Sequence, residues 1–129
     1  ILKIDKKKNK LIMNGLKVFE FALNRVPETY QRIIKRYNNR IDYYCFHQPN
    51  KTIHDQLIKK LRINYEKVIS CFAHGNTSAP SIPISLSHSF SNKNVNNKVF
   101  LFCGFGAGLN WSTVITTFKK TFISKIYKI

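Results

Sequence analysis

The sequence predicts an α/β domain with a mixed five-stranded sheet packed with helices. Five short apolar runs typical of strands alternate with stretches whose apolar residues recur at helical spacing. The earlier strands look fully buried and need crossovers between them, whereas the last two follow each other closely and should pair antiparallel. At 129 residues and 43% hydrophobic, the chain is long enough to bury one core.

The first strand and the first helix lie close to the start of the chain. "LIM" is followed by Asn14 and Gly15, which predicts a short strand that ends in a turn. From Val18 to Tyr37, apolar residues recur every three or four positions, which predicts a helix. Pro27 falls inside this stretch, so we expect either a kink or two abutting helices.

The second strand and the second helix follow. The short, aromatic-rich run "DYYCF" (42–46) predicts a strand. Pro49 suits the first turn of a helix, because a proline there loses no helical hydrogen bond. One stripe of this helix would be apolar, formed by Ile53, Leu57 and Leu61.

The segment after the third predicted strand, "KVISCF" (67–72), fits two structures. The residues "PISLSHSFS" alternate apolar and polar side chains as a strand does, yet they also fit a helical stripe. That stripe consists of Ile82, Leu86 and Phe90. We favour the helix, because the buried strands on either side need a crossover. Thr77 or Ser78 would cap it, with Pro80 in its first turn.

Two strands close the predicted domain. The polar run "SNKNVNNK" (91–98) predicts a loop, and "KVFLFC" (98–103) predicts the fourth strand. "WSTVITTF" (111–118) predicts the fifth strand, which the glycine-rich "GFGAGLN" joins to the fourth.

The chain carries a formal net charge of +16. Its basic residues concentrate in "KKKNK" (6–10) and "KKTFISKIYK" (119–128), where solvated tails are expected. Lys, Asn and Ile are frequent throughout, which indicates a general compositional bias, so we expect no nucleic-acid partner. The charge still favours acidic partners, an acidic carrier protein among them.

The cysteines and the absence of membrane signals predict a cytoplasmic protein. Cys45, Cys71 and Cys103 are odd in number and lie inside apolar stretches, which is typical of reduced, inert core thiols. No apolar run approaches the roughly 20 residues of a membrane span, and no signal-peptide pattern opens the chain. The first residue is Ile1, not Met, so we expect a part of a longer polypeptide.

Three predicted strand ends carry polar or glycine residues. His47 follows "DYYCF", Asn76 follows "KVISCF", and Phe105 and Gly106 follow "KVFLFC". Open α/β sheets bind ligands at the carboxyl ends of their strands, so these residues are candidates for one site. Each also has a structural explanation, as a capping histidine, a turn asparagine or a glycine in a tight connection. The residues alone leave both interpretations open.

Three motifs in this order resemble a known family. "HQPN" (47–50), "HGNTSAPSIP" (74–83) and "GFGAGLNW" (104–111) are similar to the C-terminal half of β-ketoacyl-acyl-carrier-protein synthase III. "MNGLKVFEFA" (13–22) resembles the segment that opens that half. The resemblance implies a thiolase-like half-domain. Residues 1–129 would form a single domain without the cysteine-bearing N-terminal half.

The resemblance also implies a mechanism and a set of site residues. Members of the family take an acyl group from acyl-CoA onto a cysteine and condense it with malonyl-acyl-carrier protein as carbon dioxide leaves. His47 and Asn76 match the pair that binds the thioester carbonyl oxygen of the malonyl group. The matches to substrate-binding positions are Gly15, Asn50, Phe105 and Gly106. The resemblance implies a homodimer, no metal and no cofactor, with the coenzyme A thioester acting as substrate.

Departures from the family leave alternatives open. Thr52 stands where many relatives have an arginine, which puts recognition of the carrier or of coenzyme A phosphate in doubt. The chain could instead be a non-catalytic binding or carrier-docking module, or a basic protein of nucleic-acid or membrane surfaces. A hydrolase built on Cys103, His47 and Asn76 is a further alternative.

Overall fold

The computed structural model describes residues 2–37, 40–106 and 108–127. In chain order, the strands and helices are β1 (Leu2–Asp5), β2 (Lys10–Met13), α1 (Gly15–Arg36), β3 (Tyr43–Phe46), α2 (Lys51–Leu61), α3 (Ser81–Ser89), β4 (Lys93–Gly106) and β5 (Asn110–Ile123). A short 3₁₀ helix, Tyr65–Lys67, follows α2. Ala107 in the glycine-rich motif and Lys128 in the basic tail lie outside the described residues.

The main sheet is mixed, as predicted, with the strand order β3-β4-β5. β3 pairs parallel to β4, with Tyr43 opposite Phe100, and β4 pairs antiparallel to β5, with Phe102 opposite Val114. β1 and β2 form a separate antiparallel hairpin. The α/β class is therefore confirmed. In the described part of the chain, however, four of the five strands expected in one sheet form: three lie in this sheet, and the fourth, β2, pairs in the hairpin with β1, which was not predicted.

The segment predicted as the third strand contributes one bridge and no ladder. Val68 bridges parallel to Tyr44, and the backbone N–H of Ile69 donates to the carbonyl of Tyr44 at 2.8 Å. Two residues later, the N–H of Cys71 donates instead to the side-chain oxygen of Gln48 at 2.9 Å. A side chain thus takes the place of a strand partner, and the ladder ends there.

Helix α1 is continuous through Pro27, so the alternative of two abutting helices is wrong. It begins after Asn14, whose side-chain oxygen accepts the N–H of Lys17 at 3.0 Å and satisfies one of the free donors of the first turn. Its buried face contains Val18, Ala22, Val26 and Pro27. Proline is tolerated here because its ring packs into the core, which offsets part of the cost of the missing N–H.

The starts of α2 and α3 differ from the predicted ones. Asn50 caps α2 by accepting the N–H of Ile53 at 2.8 Å, so Pro49 lies before the cap and not in the first turn. The helical alternative for residues 81–89 is confirmed. Pro80 precedes α3 without a side-chain capping bond, so the expected cap at Thr77 or Ser78 is wrong. Ser78 instead adopts a φ of 58° in the turn before the helix.

The two closing strands are longer than predicted. Residues 93–98 belong to β4 and residues 119–123 belong to β5, so both the polar loop and the start of the basic tail are strand. Val95 explains the extension, because it is buried in a cluster with Ile69, Phe100 and Ile123. Val95 thus anchors this end of the β4–β5 pair, while the asparagines and lysines around it face solvent.

Two apolar clusters cover the two faces of the sheet. The larger lies under α1 and α2 and contains Ala22, Val26, Phe46, Leu57, Ile58 and Leu101. The smaller lies under α3 and contains Cys45 and Phe100. All three cysteines are buried and free, as expected. Within the described residues, no helix combines the length and the apolar character needed to cross a membrane.

Candidate active site

The candidate site lies where the carboxyl ends of β3 and β4 meet. These strands are parallel, so His47 after β3 and Phe105 near the end of β4 come to the same edge of the sheet. The N–H of His47 donates to the carbonyl of Cys103 at 2.8 Å, which continues the ladder by one bond. The rings of His47 and Phe105 meet edge to face, with centroids 5.3 Å apart. This contact restricts the orientation of the imidazole.

The imidazole of His47 is half-buried and lies next to the hydroxyl of Ser81 and the backbone of Ser78. Its Nδ1 lies 2.7 Å from the hydroxyl of Ser81, the first residue of α3. Burial lowers the pKa of His47 below the usual value, and a hydrogen bond with the backbone of Ser78 partly opposes that shift. The lowered pKa favours the neutral ring at physiological pH, and Nε2 has no side-chain partner among the described residues.

Asn76 lies in the loop between the Tyr44–Val68 bridge and α3. Its side-chain oxygen accepts the N–H of Ser78 at 2.9 Å, as in an Asx turn. The bond holds the loop and occupies one acceptor position of the amide. The NH₂ end remains for another partner, and the side chain is exposed.

A cavity of about 310 Å³ brings all the predicted site residues together. Its lining includes Gly15, His47, Asn50, Asn76, Phe105 and Gly106. Apolar side chains complete the wall, among them Met13, Val18 and Ile53. A second cavity of about 420 Å³ shares His47, Asn76 and Phe105 and extends toward Ser81, Ile82 and Gly104. Residues up to 91 positions apart in the sequence thus line one cavity. Their individual functions stay predictions.

Gly15 and Asn50 lie at helix starts that open onto the smaller cavity. Gly15 is the first residue of α1, and a Cβ placed on it would meet no atom within 4 Å. Asn50 uses its side-chain oxygen to cap α2, so only its NH₂ group remains for a ligand. Neither helix has an acidic residue in its first turn. The partial positive charge of both helix starts therefore acts on the cavity.

Sequence reasoning missed Ser81. It lies inside the motif "HGNTSAPSIP", but that motif drew attention to Asn76 and to the capping hydroxyls of Thr77 and Ser78. The serine reaches His47 only because the turn at Ser78 and the start of α3 direct it toward the end of β3. A contact between residues 34 positions apart in different elements leaves no local pattern in the sequence.

The cysteines lie apart from this site. Burial raises the pKa of Cys45 to about 12 and that of Cys103 to about 11, so both are protonated thiols. Cys103 accepts a hydrogen bond from the hydroxyl of Thr113 at 3.3 Å. Among the described residues that line the two cavities there is no cysteine. The geometry therefore gives no support to a hydrolase built on Cys103.

Sequence comparison identifies close relatives. A family described as "3-Oxoacyl-[acyl-carrier-protein (ACP)] synthase III C terminal" matches residues 35–118. The beta-ketoacyl-[acyl-carrier-protein] synthase III of Lactococcus lactis is 41% identical over 113 residues, which cover 81% of this chain and 34% of that protein. The enzyme of the same name from Pyropia yezoensis is 34% identical over 112 residues, covering 83% and 35%. The chain thus spans about a third of these curated relatives.

Solved structures agree with the sequence matches. The 3-oxoacyl-(acyl carrier protein) synthase III of Pseudomonas aeruginosa superimposes with a TM-score of 0.78 at 28% identity, covering 92% of this chain and 40% of that one. The β-ketoacyl synthase III of Thermus thermophilus gives a TM-score of 0.78 at 30% identity, covering 88% and 37%. The expected thiolase-like fold is confirmed by these superpositions.

Proposed function

Because this chain belongs to the 3-oxoacyl-[acyl-carrier-protein] synthase III family, we propose that it is the C-terminal domain of a condensing acyltransferase. The complete enzyme would take an acyl group from acyl-CoA and join it to malonyl-acyl-carrier protein, with loss of carbon dioxide. Residues 1–129 would act as one domain that supplies His47 and Asn76. Fatty acid synthesis or a related acyl pathway would use the product.

The observation that carries the proposal is that two N–H donors, one on His47 and one on Asn76, are available at the same cavities. Ser81 contacts Nδ1 of His47, and Ser78 occupies the oxygen of Asn76, so Nε2 and the amide NH₂ are left for a ligand. Both residues line the same two cavities. Two donors that converge on one apolar-walled space suit an oxygen that gains negative charge.

Decarboxylation of a malonyl thioester produces such an oxygen. The bond between the α-carbon and the carboxylate breaks, carbon dioxide leaves, and the electron pair forms an enolate whose charge rests on the thioester oxygen. Hydrogen bonds to that oxygen strengthen as its charge grows, so they stabilise the transition state more than the bound substrate. Removing one donor of this kind costs about a hundredfold in rate.

The electrostatics of the chain support an anionic substrate on an acidic carrier. The starts of α1 and α2 contribute partial positive charge at the cavity, which favours the malonyl carboxylate and the enolate. The formal charge of +16 would attract an acidic carrier protein over a longer distance. Lys51, beside Thr52 in the first turn of α2, forms an ion pair with Asp55, so we expect it to add little to this attraction.

The nucleophile would come from outside these residues. A reactive cysteine needs a lowered pKa, whereas burial raises the pKa of Cys45 and Cys103. We therefore expect a cysteine-bearing N-terminal half to complete the site, and the complete enzyme to be a cytoplasmic homodimer. The proposed chemistry uses a coenzyme A thioester as substrate and calls for no metal or cofactor.

The test is release of carbon dioxide from malonyl-acyl-carrier protein by the chain combined with the cysteine-bearing half of its polypeptide. His47→Ala and Asn76→Ala should each slow decarboxylation about a hundredfold. His88→Ala on the exposed side of α3 and Asn96→Ala in β4 are matched controls outside both cavities and should retain the rate. Unchanged rates in the site variants would overturn the proposal. Weaker carrier binding at an unchanged rate would favour the non-catalytic docking module.

A further inference from the structure

We propose that Ser81 is a positioning residue that holds His47 in the tautomer with its proton on Nε2. The inference rests on the proposed function, because it concerns how His47 becomes a donor to the thioester oxygen. In a neutral imidazole only one nitrogen carries a proton, so His47 can donate from Nε2 only when Nδ1 is the acceptor. A group that donates to Nδ1 therefore determines whether the ring can serve the reaction.

The contact between Ser81 and His47 has a preferred direction. The hydroxyl of Ser81 lies 2.7 Å from Nδ1 of His47, and the residue is 4% exposed. Among the described residues, this hydroxyl has no other hydrogen-bond partner. If Nδ1–H donated to Ser81, the buried hydroxyl proton of Ser81 would lack an acceptor, at a cost of about 1–3 kcal/mol. Donation from Ser81 to Nδ1 satisfies both groups.

A buried chain of hydrogen bonds holds Ser81 in place. The hydroxyl of Ser85, one turn further along α3, donates to the backbone carbonyl of Ser81 at 2.7 Å. The Nε2 of Gln48 donates in turn to the hydroxyl of Ser85, and the Oε1 of Gln48 accepts the N–H of Cys71. Gln48 and Ser85 are both fully buried. Because Gln48 directly follows His47, these hydrogen bonds fix the start of α3 relative to the imidazole.

The start of α3 also favours a neutral ring. Ser81 is the first residue of the helix, so the positive ends of the peptide dipoles of α3 lie next to the imidazole that Ser81 contacts. Their partial positive charge disfavours a proton on both ring nitrogens. A ring kept neutral and accepting at Nδ1 has its donor on Nε2, facing the space shared with Asn76.

The test is nuclear magnetic resonance of the chain labelled with ¹⁵N in its histidines. Long-range proton–nitrogen spectra separate a protonated ring nitrogen from an unprotonated one, and the signals of His47 are identified by their loss in His47→Gln. We expect an unprotonated Nδ1 and a protonated Nε2 in the unmodified chain above the pKa of the ring. An Nδ1–H tautomer in the unmodified chain would overturn the proposal without any Ser81 variant.

Variants of Ser81 extend the test. Ser81→Ala should shift His47 toward a mixture of both tautomers, and Ser81→Thr should restore the Nε2–H form because it keeps the hydroxyl. Ser89→Ala is the matched control, since it removes a serine hydroxyl of the same helix at an exposed position outside this set of hydrogen bonds. An unchanged tautomer in Ser81→Ala, or the same shift in Ser89→Ala, would contradict the inference.

The outcome is independent of the proposed reaction. The tautomer of His47 is measured without a substrate. The inference about Ser81 therefore holds or fails whether or not the complete enzyme decarboxylates malonyl thioesters. In the complete enzyme, Ser81→Ala should lower kcat about tenfold and leave KM nearly unchanged, because the bond acts through the donor to the transition state. A matching rise in KM with constant kcat would instead indicate an effect on binding alone.

Discussion

The side-chain oxygen of Asn76 accepts the backbone N–H of Ser78 at 2.9 Å, and this bond determines which end of the amide is available to the cavity. The proposed function therefore gives this asparagine two tasks that can be separated by mutation. Its oxygen holds the turn in which Ser78 adopts a positive φ of 58°. Its NH₂ group is left as a donor toward the space shared with His47.

Asn76→Asp should separate these tasks. A carboxylate keeps the acceptor for Ser78 but has no N–H and places negative charge where the enolate would form. We expect the thermal stability to stay close to that of the unmodified chain and the decarboxylation rate of the complete enzyme to fall more than a hundredfold. Asn76→Ala should lose both rate and stability, so the pair of variants distinguishes the donor from the turn. Equal rates in Asn76→Asp and the unmodified enzyme would contradict the assignment.

His54 offers a prediction about pH and stability. It is 1% exposed, and neither ring nitrogen has a hydrogen-bond partner among the described residues; the nearest carboxylate oxygen, of Asp55, is 3.6 Å from Nδ1. Burial lowers the pKa of His54, and Asp55 opposes this only in part. The unfolded chain therefore takes up the proton first as pH falls below about 6.5, and the free energy of unfolding decreases there. Above that pH the contribution is fully present.

His54→Leu should remove most of this pH dependence and raise the free energy of unfolding by about 1–3 kcal/mol, because an apolar side chain leaves no unpaired buried nitrogen beside Phe72. Urea unfolding measured between pH 5 and 8 tests it. His47, whose pKa is also lowered, accounts for the slope that remains. The exposed His88 provides the control, His88→Leu, which should keep the original slope. A slope unchanged in His54→Leu would show that the pH dependence has another source.

The buried side chain of Gln48 links three segments, and its loss should destabilise the fold. Gln48→Leu leaves the N–H of Cys71 without an acceptor and removes the donor to Ser85. We expect a loss of about 2–4 kcal/mol in the free energy of unfolding, measured with urea, since each unsatisfied buried group costs about 1–3 kcal/mol. Gln31→Leu, at an exposed position of α1, should change stability by no more than about 0.5 kcal/mol. Similar losses in both variants would contradict the role of Gln48.

The sequence allowed the α/β class and the shared site to be predicted because both depend on local signals. Apolar runs identified β3 and the central part of β4, and polar residues after them indicated one edge of the sheet. The first part of β4 was missed, since its asparagines and lysines resemble a loop and only Val95 is buried. Residues 67–72 have the apolar pattern of a strand, so a strand was predicted there. In the structure, Gln48 from a distant segment accepts the N–H of Cys71 and ends the ladder.

The hydrogen bonds of the site could not be predicted from sequence patterns. The approach of Ser81 to His47 depends on the turn at Ser78 and on the packing of α3 against β3. Short motifs predict which residues form a turn or a helix cap, but the distance between two elements depends on packing across the whole core. The six residues matched to the family nevertheless line one cavity. For His47, Phe105 and Gly106 the reason is general, because the carboxyl ends of parallel strands meet at one edge of the sheet.

The exposed apolar side chains on β5 predict self-association of the isolated chain. Val114 is 52% exposed and Phe122 is 60% exposed, and alternation along the strand puts them on the face that also carries Phe118. α3 packs on this face beside β3, at the other edge of the sheet, so the part of the face formed by β5 stays open in the described residues. An uncovered apolar face of this kind favours association between copies.

Sedimentation velocity over a hundredfold range of concentration measures this association. The unmodified chain should sediment faster as its concentration rises, whereas the double variant Val114→Thr, Phe122→Thr should remain closer to a monomer, since threonine keeps strand propensity and removes apolar area. Leu16→Thr, at an exposed apolar position on α1, is the control and should associate as the unmodified chain does. A clean monomer at high concentration would contradict the expectation that another part of the complete protein normally covers this face.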